Sequence, residues 1–220
     1  MPSGSRASGC DLRSEAVPDF PLRPVLAGLL ASIASLGGGC GIPGRETTRI
    51  EPTYDRDTGR LELLKYDANG DGNVDTWSYM NGADVVRIEI DTNQDGTLDR
   101  WEYYDAGGKI EKVGSSRVQD GKPDSWAYYG PDGSIARVEL STRRDGNIDR
   151  IEHYAQGAMV RAEEDTSQDG IVDKWEVYEG SRLQSVAFDT TRSGYPDRRL
   201  TYGPDGSARA EALGPPPAQP

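Results

Sequence analysis

The chain has 220 residues, 37 acidic against 25 basic, for a net charge of −12, with 27 glycines and 14 prolines. That charge excludes a nucleic-acid backbone as the main partner, because phosphate binding needs a basic surface; it suits a binder of cations. One histidine and two cysteines exclude a zinc finger, a disulfide scaffold and a histidine-rich metal site, and argue against Ser-His-Asp or Cys-His catalysis.

The first element is an export signal. Residues 25–36, VLAGLLASIASL, carry no charge and follow Arg23. The run is too short to span a bilayer, which takes about 20 residues, and it reads as the apolar core of a secretory signal. Gly37, Gly38, Gly39 and Cys40 come next. Small residues before a cysteine resemble the bacterial lipobox, where a peptidase cuts just before a lipid-bearing cysteine. The family usually has Leu three residues before the cysteine; here Gly37 stands there, with Leu36 one further back.

The resemblance implies a signal peptide over 1–39, a lipid on Cys40, a tether over 40–47 and a place in the bacterial cell envelope. By resemblance to enterobacterial lipoproteins, Gly41 rather than Asp after the cysteine implies the outer membrane. The alternative is an ordinary signal cut after Ala34, which leaves Cys40 a free thiol. Cys10 lies upstream of either cut, so the mature chain keeps one cysteine.

A repeat follows. Gly72, Gly96, Gly121, Gly146, Gly170 and Gly194 fall 24 or 25 residues apart inside recurring text, making six units over 67–213. Residues 48–66 look like a unit that lacks its first loop, as expected of a terminal cap. Residues 214–220, GPPPAQP, read as a disordered tail by composition. Each unit holds a nine-residue acidic loop, a Trp/Tyr run, a Gly-containing turn and a β-branched run. Aromatic and β-branched runs of four to six residues around such turns signal β-hairpins. Val86, Ile88 and Ile90 alternate with Val85, Arg87 and Glu89, which is the period of a strand. The fold expected over 48–213 is all-β: about seven antiparallel hairpins in an elongated or coiled single sheet. Tyr54-Asp55 with Gly59 and Leu61, and Tyr104-Asp105 with Gly108 and Ile110, resemble the YD repeats of the RHS family. That resemblance implies consecutive antiparallel hairpins and brings no catalytic residue.

The loops carry the chemistry. Calcium takes six to eight oxygens, and an EF-hand loop supplies them from positions 1, 3, 5, 7, 9 and 12 with Gly at 6. Asp91, Asn93, Asp95, Thr97, Asp99 and Glu102 fall on those positions around Gly96. Asp165, Ser167, Asp169, Ile171, Asp173 and Glu176 do the same around Gly170. Asp67, Asn69, Asp71, Asn73 and Asp75 form a third set, where Ser78 replaces the closing glutamate. The loops resemble those of EF-hand, dockerin and thrombospondin type-3 proteins, and the resemblance implies Ca2+ at these residues. The flanking helices of an EF-hand are absent, which puts Glu102 and Glu176 on strands. The ranking expected is loops 91–102 and 165–176 first, then 67–75. Loops 116–124, 141–149 and 189–197 come last, since they lose ligands or place Arg143 at position 3. Under the alternative, the Asp side chains only cap turn amides. That alternative leaves the recurrence of acids at positions 1, 5 and 9, with Asn or Ser at position 3, without a reason.

The remaining candidates are weaker. His153 takes the unit position of Tyr79, Tyr103 and Tyr128 and reads as a substituted aromatic. Trp77, Trp101, Trp126 and Trp175 share one position, with Ile151 and Arg199 in the other two units. They read as packing between rungs, or alternatively as an exposed strip for sugar rings or a partner. A shallow repeat surface offers no desolvated cleft for a carboxylate pair. The reading is a non-catalytic, calcium-binding repeat lipoprotein with a structural or adhesive role, and alternatively a carbohydrate-binding surface module. Its partners are a membrane, through the lipid anchor, and a protein or carbohydrate at the cell surface.

Overall fold

The computed structural model describes residues 49–214. The signal peptide, Cys40, the tether and all of the tail beyond Gly214 lie outside the described residues.

Fourteen strands follow one another: β1 (Arg49–Tyr54), β2 (Leu61–Asp67), β3 (Thr76–Asn81), β4 (Asp84–Ile90), β5 (Arg100–Tyr104), β6 (Ile110–Ser115) and β7 (Ser125–Tyr129). They continue as β8 (Ile135–Leu140), β9 (Arg150–Ala155), β10 (Ala158–Glu164), β11 (Lys174–Glu179), β12 (Arg182–Phe188), β13 (Arg198–Tyr202) and β14 (Ala208–Ala212). Each pairs antiparallel with its neighbours in sequence, so they form one unclosed sheet with β1 and β14 at its edges. This is the expected array of seven hairpins, and the unit lacking its loop is the β1–β2 hairpin.

Two kinds of connection alternate. Tight turns join the strands within a hairpin. Gln156 and Gly157, at φ 53° and 78°, give the left-handed pair of a two-residue hairpin turn between β9 and β10. The nine-residue acidic loops join one hairpin to the next, so the meander gathers them all at one end of the strands. Six of the seven hairpins carry a register shift near the tight turn, as between Tyr103 and Tyr104. Such bulges add twist to the sheet.

The core is a row of residues across one face. Register places Ile88, Glu102, Val113, Ala127, Val138, Glu152, Ala162, Glu176 and Val186 opposite one another in turn. Val113, Ala127 and Val138 are wholly buried at 0 % exposure, although among the described residues no second layer of secondary structure accompanies the sheet. Small residues sit in the row, and longer side chains of the same face close around its glutamates. Tyr104 Oη donates to Glu102 at 2.6 Å, and Tyr154 Oη to Glu152 at 2.7 Å. The opposite face carries the Trp and Tyr ladder.

Candidate functional site

The acidic loops share one skeleton. In the loop 91–99 the amide of Asp99 returns to the carbonyl of Ile90 at 3.0 Å and closes the loop. Gly96 stands at φ 88°, in the left-handed region that favours glycine. Its amide donates to Asp91 Oδ2 at 2.7 Å. Thr97 N donates to Asp95 Oδ1 at 2.8 Å, and Asp95 N to Asn93 Oδ1 at 3.2 Å. Asp99 Oδ2 accepts from Thr92 N and Thr92 Oγ1 at 3.1 and 2.7 Å.

Loop 67–75 repeats the scheme. Asp67 takes Gly70 N and Gly72 N at 2.7 and 2.8 Å, Asp71 takes Asn73 N at 2.7 Å, and Asp75 takes Ala68 N at 2.8 Å. Asn69 Oδ1 accepts from Asp71 N at 2.8 Å. In loop 165–173, Asp165 takes Gly170 N at 2.7 Å, Asp169 takes Ile171 N at 3.0 Å and Asp173 takes Thr166 N at 2.9 Å. Ser167 Oγ donates to Asp165 at 3.4 Å. The recurrence of acids therefore has a reason in the turn itself: positions 1, 5 and 9 each cap a different loop amide, and Asn69 and Asn93 at position 3 cap another. That corrects the expectation that turn chemistry leaves the pattern unexplained.

The loops are also stitched to one another. Asp91 N donates to the carbonyl of Asp75 at 2.8 Å, and the same bond joins Ser116 to Asp99, Ser141 to Asp124, Asp165 to Asp149 and Asp189 to Asp173. Gln94 adds a side-chain link between the first two loops. Its Oε1 accepts from Asn69 Nδ2 at 2.7 Å, and its Nε2 donates to Asp75 Oδ2 at 3.4 Å.

Charge is unevenly compensated. Asp67, Asp75, Asp91 and Asp99 are buried. No ion pair within 4.0 Å reaches any of them, or Asp71 or Asp95, among the described residues; of the aspartates with predicted ligand roles only Asp169 has one, with Arg192 at 3.8 Å. The amide of Asn73 and the side chain of Asn69 hold the Asp71 carboxyl below its ordinary pKa. Asn93 and the amide of Thr97 do the same for Asp95. Both are therefore ionised at neutral pH.

The two predicted closing glutamates are engaged elsewhere. Glu102, on β5, binds Arg100 Nε at 2.7 Å and Tyr104 Oη. Glu176, on β11, binds Arg150 Nη2 at 2.7 Å and Lys174 Nζ at 2.9 Å. This removes the difference on which the ranking of loops 91–102 and 165–176 above 67–75 rested. Among the described residues, no three acidic, histidine or cysteine side chains already converge on one metal position.

The Trp ladder is partly covered. Trp101 is buried, and Trp77, Trp126 and Trp175 are half-buried. His153 is half-buried, with Arg161 Nη2 at 3.3 Å from its Nε2. Burial and the Arg161 charge lower its pKa, so its ring is neutral. Sequence reasoning missed Lys112, which sits among three rings of this ladder. Its signal was the recurrence of a cation at one unit position, in Arg87, Lys112, Arg137 and Arg161.

No protein-family model and no curated protein matches the chain. Among solved structures, a GtfA/B complex bound to UDP and GlcNAc is 14 % identical with a TM-score of 0.37, over 51 % of this chain and 23 % of that one. A complex of accessory secretory proteins 1, 2 and 3 from Streptococcus pneumoniae is 14 % identical with a TM-score of 0.26, over 60 % and 23 %. TcdB2-TccC3 is 13 % identical with a TM-score of 0.21, over 79 % and 13 %. This chain thus spans less than a quarter of each of these neighbours.

Proposed function

We propose that this chain is a non-catalytic repeat scaffold of the bacterial cell envelope that takes up calcium along its loop edge. The observation that carries the reading is the set of buried carboxylates without a cation in loops 67–75 and 91–99. On the strands, Glu102 and Glu176 are buried beside Arg or Lys, whereas the buried Asp124, Asp149 and Asp189 of the other loops, like those of these two, have no ion pair among the described residues. Asp67, Asp75, Asp91 and Asp99 are buried beside neutral donors, amides and the Thr92 hydroxyl. Backbone donors stabilise each carboxylate, but they do not cancel the charge of six acids in two adjoining loops.

The donor set fits a hard cation. Asp67, Asn69, Asp71 and Asp75 in one loop, and Asp91, Asn93, Asp95 and Asp99 in the next, offer only oxygen ligands, which calcium prefers. The ion would supply positive charge to loops already held in a turn. Asp165, Ser167, Asp169 and Asp173 form a third candidate, where Arg192 already stands near Asp169. In this reading Cys40 tethers the array to the membrane, and the repeat sheet serves a structural or adhesive role.

The test is a calcium titration of the 41–220 fragment, followed by melting temperature, with magnesium and chelator as controls. Calcium-specific stabilisation is expected, because an ion that binds only the folded loops shifts the unfolding equilibrium. A melting temperature unchanged between calcium and chelator overturns the reading.

A further inference from the structure

The face opposite the buried row carries an alternation of rings and cations. Register sets Tyr79, Arg87, Tyr103, Lys112, Tyr128, Arg137, His153 and Arg161 opposite one another in turn across the sheet. Arg87 lies 4.0 Å from the Tyr79 ring centroid and Arg137 4.1 Å from that of Tyr128. In three of the four hairpins the glutamate two residues on neutralises the cation. Arg87 pairs with Glu89 at 3.2 Å, Arg137 with Glu139 at 2.9 Å and Arg161 with Glu163 at 3.4 Å.

Lys112 breaks the pattern. The place of its glutamate is taken by Gly114, and a Cβ there would meet Trp126 Cζ3 at 2.8 Å. The Trp126 ring therefore excludes the carboxylate that the other hairpins supply. Lys112 Nζ lies 4.7 Å from the ring centroids of Tyr103 and Trp126 and 5.9 Å from that of Tyr128. Among the described residues it makes no ion pair and no side-chain hydrogen bond. Aromatic faces attract an ammonium but leave its charge uncancelled. A half-buried cation in this acidic chain thus lacks the carboxylate that Arg87, Arg137 and Arg161 each have.

We propose that Lys112, walled by Tyr103, Trp126 and Tyr128, anchors a binding site for a carboxylate-bearing sugar in an acidic polysaccharide. The sugar carboxylate takes the place that Glu89, Glu139 and Glu163 hold beside their own cations. The apolar face of the sugar ring lies along the aromatic wall. An acidic peptide fits less well. Peptides gain affinity on a sheet by adding to an open edge, whereas β6 lies between β5 and β7 with both sides paired. A sugar needs only a ring face and a charge. Arg87 and Arg137 flank Lys112 at two strand spacings, roughly 10 Å, but each is already paired with its own glutamate, so Lys112 is the cation of this row left to take the sugar carboxylate.

This site is separate from the acidic loops and independent of calcium. Titration of the 41–220 fragment with oligogalacturonate, read by tryptophan fluorescence in chelator, tests it. Saturable binding is expected, with none to a neutral oligosaccharide. Lys112→Met weakens it about tenfold, the loss of one charge-assisted contact, while Lys112→Arg retains it and Lys122→Met leaves it unchanged. Absence of wild-type binding in chelator overturns the proposal whether or not the variants fold. Equal affinity in Lys112→Met also overturns it, as does equal competition by polyglutamate. Binding seen only with calcium assigns the polymer to the loops instead. Unchanged melting in chelator with binding intact overturns the calcium reading alone.

Discussion

Arg150 on β9 reaches across β10 to Glu176 on β11, with 2.7 Å between Nη2 and Oε2. The same guanidinium binds Glu152 and Glu164, both at 2.9 Å. One cation thus joins three strands and two hairpins. Burial works against its charge, and the hydrogen bonds it donates to Glu152 and Glu176 raise its pKa in spite of that.

Arg150→Met is expected to destabilise the protein by about 3 kcal/mol, the lower end for breaking a buried pair, because it leaves half-buried Glu152 without its cation and Glu164 and Glu176 with Lys174 alone. Urea unfolding measures it. A change below about 1 kcal/mol, the worth of an exposed pair, would show that the network is not holding the hairpins together.

Acid should loosen the same region. Burial alone would raise the Glu176 pKa, but hydrogen bonds from Lys174 and Arg150 outweigh it and lower the folded value below 4.5. A depressed carboxyl contributes stability above its unfolded pKa and loses it as pH falls through the folded one. Stability should therefore fall below about pH 4.5 in wild type, and fall less steeply in Glu176→Gln. Identical slopes for the two proteins would remove Glu176 from the acid transition.

The calcium reading makes a paired prediction. Asp95→Ala and Asp145→Ala each remove a cap, from the amides of Thr97 and Asn147 respectively, so both lower the calcium-free melting temperature somewhat. Only Asp95→Ala should also shrink the rise on adding calcium, because Arg143 stands in the loop of Asp145. Equal rises in the two variants, measured by differential scanning calorimetry, would reduce the acids to turn formers.

Gly114→Ala tests the close approach of Trp126. The added methyl would lie 2.8–3.0 Å from three ring carbons. Overpacking of this kind costs about 1–3 kcal/mol. A shifted Trp126 fluorescence spectrum should accompany the loss, and unaltered stability with an unaltered spectrum would contradict the packing.

The hairpin array was legible because a 24–25-residue period leaves no room for helices and places a turn signal twice in each unit. The loop boundaries were legible from Gly96 and its counterparts. The destiny of Glu102 and Glu176 was less so. Their spacing matches a closing calcium ligand, but strand alternation puts each on the face of Arg100 or of Arg150 and Lys174. The Arg150 network is invisible in sequence, since it joins residues 26 apart through the register of three strands. Lys112 went unnoticed because the informative fact is a missing glutamate at Gly114, and its cause, the Trp126 ring, arrives from the next strand.

A sheet in which every strand's backbone pairs only with its chain neighbours has a definite mechanical character. Tension applied at β1 and β14 loads one strand pair at a time, at the edges, where bonds open in sequence as in a zipper. Each released unit of 24 or 25 residues extends to about 80 Å of taut chain. In the sheet its two strands occupy roughly 10 Å. An array of this design yields at low force and lengthens severalfold, and its short-range pairings allow it to close again unit by unit.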